Sequence, residues 1–306
     1  MKSALILFPL ALVLPLHAAP SDEDLLKFVK ERAKQERLTP EPVDMAARVA
    51  LLCRVPTPKD YPNEGPHGGA KFLVFSNEAG ALPVFDPWGK FPEGSLLLKE
   101  KLGKEDGKTQ LFTGMLKREK GYFPETGDWE FFTVDAGASK ITERGKLANC
   151  ATCHQDYAEK DYVTKSYAWN TQLTGGRIVL HSSKAQTQGE KLQYESKQEK
   201  NTLGFWVNAA DWASWHFTVT QPGTYSIHIW QGCGKGSGGS EVEIKCAGQS
   251  AKFTVEDTGG FQNFKEREVG KITFDKEGPQ ALEVHALSKP GAAVMDLRQV
   301  ILVPVK

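Results

Sequence analysis

Two thiols and an imidazole fall within one short stretch of this chain, Ala148-Asn149-Cys150-Ala151-Thr152-Cys153-His154. Cys-x-x-Cys-His is the attachment pattern of a c-type haem. The thiols form thioethers with the vinyl groups, and the adjacent imidazole ligates the iron. Two other chemistries use paired cysteines. A zinc site needs two further ligands, and no second Cys-x-x-Cys or His-x₃-His stands nearby. A redox dithiol needs a βαβ context, which the flanking residues do not supply. The pattern therefore reads as a covalently attached haem c, with Cys150 and Cys153 as anchors and His154 as the metal ligand.

The N-terminus agrees with a haem attached outside the cytoplasm. Lys2 precedes an uncharged apolar run from Ala4 to Leu16, followed by His17-Ala18-Ala19. That is the layout of a secretory signal peptide. We assign residues 1–19 to it and expect a periplasmic or secreted mature chain; a retained N-terminal anchor is the alternative. Nothing later in the sequence is long and apolar enough to span a bilayer. The 38 basic and 38 acidic residues balance, which argues against a nucleic-acid or membrane-surface partner. Of the remaining cysteines, Cys233 and Cys246 are candidates for a bridge across a hairpin. Cys53 reads as a small buried apolar residue.

The elements that would position the motif follow from patterning. Ser21 caps a helix running to about Gln35, and a second helix is expected from Pro42 to Cys53. From Ala70 the apolar period becomes two, which predicts strands over Lys71–Ser76, Ser95–Lys101, Gln110–Lys117 and Asp128–Val134. The haem motif follows on a short helix. Residues 20–165 thus read as an α+β haem domain, a small antiparallel sheet with flanking helices. After a linker over Lys160–Gln172, strand patterns separated by short turns fill the chain, from Arg177–Ser182 to Asp296–Val303, with Leu203–Asn208 and Glu241–Cys246 among them. They predict an all-β jelly-roll sandwich over 166–306.

The position of the motif bears on function. The only methionine after His154 is Met295, in the second half, so a methionine sixth ligand would be Met45 or Met115, both upstream. His67 is the other histidine of the mature first half. An iron with an open or weakly filled sixth position is the reading this order favours.

Pro66-His67-Gly68, Phe91-Pro92-Glu93-Gly94, Gly114-Met115, Gly127-Asp128-Trp129, Cys150–His154 and Asp161-Tyr162-Val163 occur in the order in which the cytochrome P-460 family carries such stretches. The first half resembles that family, which includes the cytochromes c′-beta. The resemblance implies a five-coordinate c-haem that meets small nitrogen species. Some members oxidise hydroxylamine and carry a lysine–porphyrin link; others bind nitric oxide. Lys99 matches the position of the linking lysine, and its competing reading is a solvated lysine at a sheet edge. On the strand after Gly127, Glu130 is the candidate general base and Phe132 the candidate pocket wall, with Trp129 and Phe131 on the opposite face. The competing reading of Glu130 is a solvent-facing glutamate between core aromatics. Met115 is either a cavity residue or core filler. The chain is thus read as an oxidoreductase acting on hydroxylamine-like substrates, or as a carrier of electrons or gas ligands with a redox partner protein.

Gly204-Phe205-Trp206-Val207-Asn208, Asp211-Trp212, Pro222-Gly223-Thr224-Tyr225, Asp257–Asn263 and Ala293–Leu297 resemble galactose-binding-like jelly rolls related to family-six carbohydrate-binding modules. That resemblance implies a possible glycan partner, with Phe261 as the stacking aromatic and Asp296 as the polar contact. A third reading, a glycan-binding protein with an accessory haem domain, follows from it. Most of Trp206, Trp212, Trp215 and Trp230 are expected in the core.

Overall fold

The structure is a computed structural model that describes residues 19–44, 71–103, 105–165, 167–168 and 172–305. The expected signal peptide, Met45, Cys53, His67 and the Pro66-His67-Gly68 stretch lie outside the described residues.

Helix α1 (Asp22–Lys30) begins at Ser21, whose hydroxyl accepts from the Asp24 amide while the Asp24 carboxylate accepts from the Ser21 amide. This reciprocal capping satisfies two N–H groups that the helix itself leaves unpaired. Seven antiparallel strands form the first sheet: β1 (Glu36–Arg37), β2 (Val43–Asp44), β3 (Lys71–Ser76), β4 (Leu96–Leu102), β5 (Thr109–Lys117), β6 (Trp129–Asp135) and β7 (Ile141–Gly145). Their order is β1-β3-β4-β5-β6-β7, with β2 also on β3. The β6–β7 turn is organised by Asp135, whose carboxylate accepts from the amides of Ser139 and Lys140 at 2.7 and 2.6 Å.

Both faces of this sheet are covered. Leu25 and Val29 of α1 pack on Phe75, Leu98, Phe112 and Leu116. The opposite face carries Phe72, Val74, Leu97, Met115, Trp129 and Phe131. Two elements differ from expectation. Val43–Asp44, read as the start of a helix, is a strand paired with Phe72 and Lys71; the rest of that stretch lies outside the described residues. Glu78–Phe85 is a helix, α2, although it contains Gly80 and Pro83. Local propensity opposes it, but the Asn77 side chain caps it and Ala81, Val84 and Phe85 are buried.

The second half is a two-sheet sandwich. One sheet has the order β10 (Gln193–Glu195), β11 (Thr202–Gly204), β18 (Asp296–Pro304), β13 (Gly223–Cys233), β16 (Gly260–Phe274), with β8 (Ile178–His181) also on β18. The other runs β15 (Gln249–Thr254), β14 (Glu241–Cys246), β17 (Gly278–Ala286), β12 (Trp212–Val219), β9 (Gln186–Gln188). Trp206, Trp215 and Tyr225 fill the core between them. Cys233 and Cys246 are free, buried thiols on different sheets, so the hairpin bridge is not formed.

The halves share a core. Val179 of β8 and Ile301 of β18 join the cluster that contains Phe72, Val84 and Phe131. Within the stretch read as a linker, Val163, Tyr167 and Ala168 are buried in the same cluster.

Gly114 of β5 lies opposite Phe132 of β6, and a Cβ there would overlap the Phe132 ring. Phe132 is buried on the α1 side and cannot yield cheaply. Gly114→Ala is therefore expected to destabilise the protein by about 1–3 kcal/mol, read as a lower urea midpoint at unchanged slope.

Candidate cofactor site

Helix α3 (Ala148–Gln155) carries the Cys-x-x-Cys-His motif. A helical turn places Cys150 and His154 on one face, and both line a small, partly enclosed cavity. Cys153 is exposed. The His154 ring packs against Phe131 with centroids 5.2 Å apart. Its Nδ1 lies 2.7 Å from the Tyr162 carbonyl oxygen. A carbonyl only accepts, so Nδ1 carries a proton. A metal-ligating histidine is commonly held in this way, with its second nitrogen donating to a carbonyl. Burial, followed by the nearby Glu143 and Cys153, pushes the Cys150 thiol up to about 11.

Two cross-strand rows wall the cavity. Val74, Lys99 and Thr113 are register partners across β3, β4 and β5. Leu97, Met115 and Phe131 are partners across β4, β5 and β6. Lys99 therefore stands on the cavity face, half-buried, with its Nζ 4.9 Å from the centroid of the Phe72 ring. Met115 is there too. Val163, Thr164 and Tyr167 add to the lining, as do Leu98, Gly114 and Phe132 of the sheet. The site is mostly apolar, with Lys99, Thr113 and Thr164 as polar points.

Glu130 corrects an expectation. It lies on the other face of β6, where its carboxylate accepts from Arg118 at 2.8 Å and Arg144 at 2.9 Å. Burial raises the Glu130 carboxyl, but hydrogen bonds from Arg144 and Arg118 outweigh it and hold the group below its ordinary value. It is a buried ion-pair centre, neither a solvent-facing residue nor a base over the cavity. Phe132 packs with the α1-side cluster, over Gly114, and also borders the cavity, as a pocket wall would. Phe131, on the opposite face of the strand, lines the cavity beside His154. Period two separates the two faces of β6, but all its residues from Trp129 to Val134 are buried. Polarity along the strand therefore gave no sign of which face was which.

In the sandwich, the Phe261 ring lies against Gly234 and is half-buried. Asp296 is buried and accepts from Gln262 Nε2 at 3.1 Å. Burial, followed by the charge of Glu195, pushes Asp296 up to about 7. Glu195 and Asp296 converge on Gly204, whose missing side chain leaves them room. The next residue, Phe205, is 57% exposed and adopts φ 56°. The expected strand over Leu203–Asn208 ends at Gly204, and the left-handed backbone at Phe205 turns the chain there. The structure thus gathers Asp296, Gln262 and Glu195 beside Phe205 and places Phe261 against the glycine loop. Phe205 was legible only as a strand aromatic.

Residues 73–165 match the family model Cytochrome P460, which implies a haem cofactor for that region. Residues 187–305 match a model described as a domain of unknown function, DUF5077. No curated protein matches the chain. Among solved structures, the sandwich is similar to the C-terminal family 6 carbohydrate-binding module of the marine laminarinase LamC from Zobellia galactanivorans. That likeness has 15% identity, covers 42% of this chain and 98% of that one, and has a TM-score of 0.33. It is also similar to a family 6 module of Cellvibrio mixtus lichenase 5A in complex with cellotriose, with 16% identity, 42% and 98% coverage, and a TM-score of 0.34. A Podospora anserina GH26-CBM35 mannanase is matched at 8% identity over 43% of this chain and 28% of that one, with a TM-score of 0.31.

Removing the Glu130 charge tests its ion-pair role. Glu130→Ala leaves two arginines without their buried partner and is expected to cost about 3–5 kcal/mol. Because the folded-state carboxyl lies below its ordinary 4.5, its contribution is present above that value and is lost as pH falls through the folded one. The acid-side drop in urea midpoint should therefore be shallower in Glu130→Gln than in the native protein.

Proposed function

We propose that the first half holds a c-type haem through Cys150 and Cys153, with His154 as the iron ligand, and that the iron takes small nitrogen-oxide ligands. The observation that carries this reading is α3. It turns Cys150 and His154, whose Nδ1 donates to a carbonyl, into one apolar cavity. In attachment each S–H adds across a vinyl double bond and nothing leaves. Bound haem supplies an iron that accepts a diatomic ligand and changes oxidation state by one electron.

The chain's own residues set the conditions. Tyr162 holds the proton on Nδ1 of His154. Leu97, Met115 and Phe131 exclude water from the cavity. Lys99 and Thr113 are the groups that orient a polar ligand atom by donating to it. The carboxylate expected to remove protons from a hydroxylamine-like substrate is committed to Arg118 and Arg144, which favours ligand binding over turnover. The apolar N-terminal run supports export, with the mature chain beginning near Ala19 or Pro20. Among the described residues no helix is long and apolar enough to cross a membrane.

Expression with c-type maturation machinery tests the proposal. Haem should remain with the polypeptide on a denaturing gel, be lost in the Cys150→Ala/Cys153→Ala double variant, and show a shifted ferrous Soret band with nitric oxide. No retained haem, or no response to nitric oxide, sinks it. Lys99→Ala decides the enzymatic version. A changed native spectrum together with hydroxylamine turnover would replace ligand binding by oxidation.

A second reading concerns the sandwich. An exposed aromatic beside converging carboxylate and amide groups is the composition that a sugar face and its hydroxyls require. On a glycan array, binding should be lost in Phe205→Ala and kept in Phe261→Ala; a blank array for the native protein removes this reading.

A further inference from the structure

We propose that Asp161 is the positioning residue of the iron ligand, acting on His154 through the Tyr162 carbonyl; the inference rests on the haem reading above. Asp161 and Tyr162 are consecutive non-glycine residues with φ of 58° and 62°. Side chains disfavour that backbone, and a bulky residue such as Tyr occupies it only where the surroundings impose it. Here they do. Asp161 is 6% exposed, and three separate elements reach it. The Phe91 amide donates to Oδ2 at 2.8 Å, Lys117 Nζ of β5 to Oδ1 at 2.7 Å, and Trp129 Nε1 of β6 to the main-chain oxygen at 2.8 Å. The Tyr162 amide in turn donates to Tyr157 O at 2.8 Å, and the Tyr162 ring covers Gly127.

These bonds fix the peptide that follows Asp161. They aim the Tyr162 carbonyl at His154 Nδ1, one step beyond the reach of the carboxylate itself. Asp161 touches neither His154 Nε2 nor the cavity, so its effect on the iron is indirect. A charged side chain buried in this place needs its partners, and two of the three, Lys117 and Trp129, belong to the sheet. The sheet's geometry is thereby transmitted to the imidazole. A hydrogen-bonded Nδ1–H makes Nε2 a stronger donor to the metal and stabilises ferric iron. Freeing the carbonyl weakens that effect.

Two variants separate the carboxylate from the backbone. Asp161→Gly accepts the left-handed conformation and keeps the main-chain bond from Trp129, but lacks both carboxylate bonds; Asp161→Asn keeps an acceptor for the Phe91 amide and tolerates that conformation, but loses the charge facing Lys117. Haem content is measured first in the native protein, then the ferrous iron–imidazole stretching frequency by resonance Raman and the ferric-to-ferrous ratio at a fixed solution potential. Asp161→Gly should lower the frequency and reduce that ratio about tenfold, with Asp161→Asn in between. Haem-bearing Asp161→Gly with native frequency and ratio overturns the inference alone. A native protein without haem overturns the haem reading and the inference together. Where Asp161→Gly fails to accumulate, Asp161→Asn decides: an intermediate shift supports the inference, and native values overturn it.

Discussion

The cofactor region depends on one constraint: strands β4, β5 and β6 are buried on both faces. Successive side chains alternate, so committing one residue to a face commits the whole strand. Once α1 covers Phe112, Leu116 and Phe132, the row Leu97, Met115 and Phe131 must face away from it. That second face cannot meet water either, and α3, the 161–168 stretch and the edge of the sandwich cover it. The α1 face holds carboxylates only where arginine meets them: Glu100 accepts a bidentate pair from Arg32 at 2.8 and 2.7 Å, and Glu130 takes Arg118 and Arg144. On the opposite face the charges are lysines: Lys117 meets the buried Asp161 at 2.7 Å, and Lys99 stands in the cavity wall, where its long apolar stem suits a largely apolar lining.

Burial on both faces also explains what could be read from the chain and what could not. Strands in the sheet and sandwich follow the two-residue alternation closely; Glu241–Cys246 coincides with its expected range, and the motif helix is where the sequence placed it. The choice of face on β6 was not available, because Trp129-Glu130-Phe131-Phe132 has an aromatic on each side and its one charge is buried by arginines distant in sequence. The helix Glu78–Phe85 was hidden by Gly80 and Pro83, whose local cost is overcome by packing. Phe205 was hidden by the opposite error: a strand pattern continued in the sequence past the point where the backbone turned. Within the candidate site, the donors Cys150 and His154 were legible from spacing. The carbonyl that orients His154 was not, since a main-chain acceptor leaves no residue-type signal.

The two halves meet through more than a tether. Asp86, after α2, accepts from Asn201 Nδ2 of the sandwich at 2.7 Å, and Asn201 accepts from Tyr194 at 2.7 Å. Trp88 Nε1 donates to the Ser196 carbonyl at 2.9 Å. His181 is buried in the same junction, and burial pushes it down to about 4, so it is neutral at pH 7. Buried polar groups of this kind cost stability unless paired. The pairing of Asp86 with Asn201 and of Trp88 with Ser196 makes each half complete part of the other's surface, in addition to the apolar contact of Val179 and Ile301.

The 161–168 stretch joins these features. Tyr162 meets the His154 ring through its carbonyl; Val163, Thr164 and Tyr167 form cavity wall. Between them Lys165 donates to the carbonyl oxygens of Asp86 and Gly89 at 2.8 and 2.6 Å. The same Asp86 holds Asn201 of the sandwich. One short run of residues thus bonds to the junction, the cavity and the oriented imidazole.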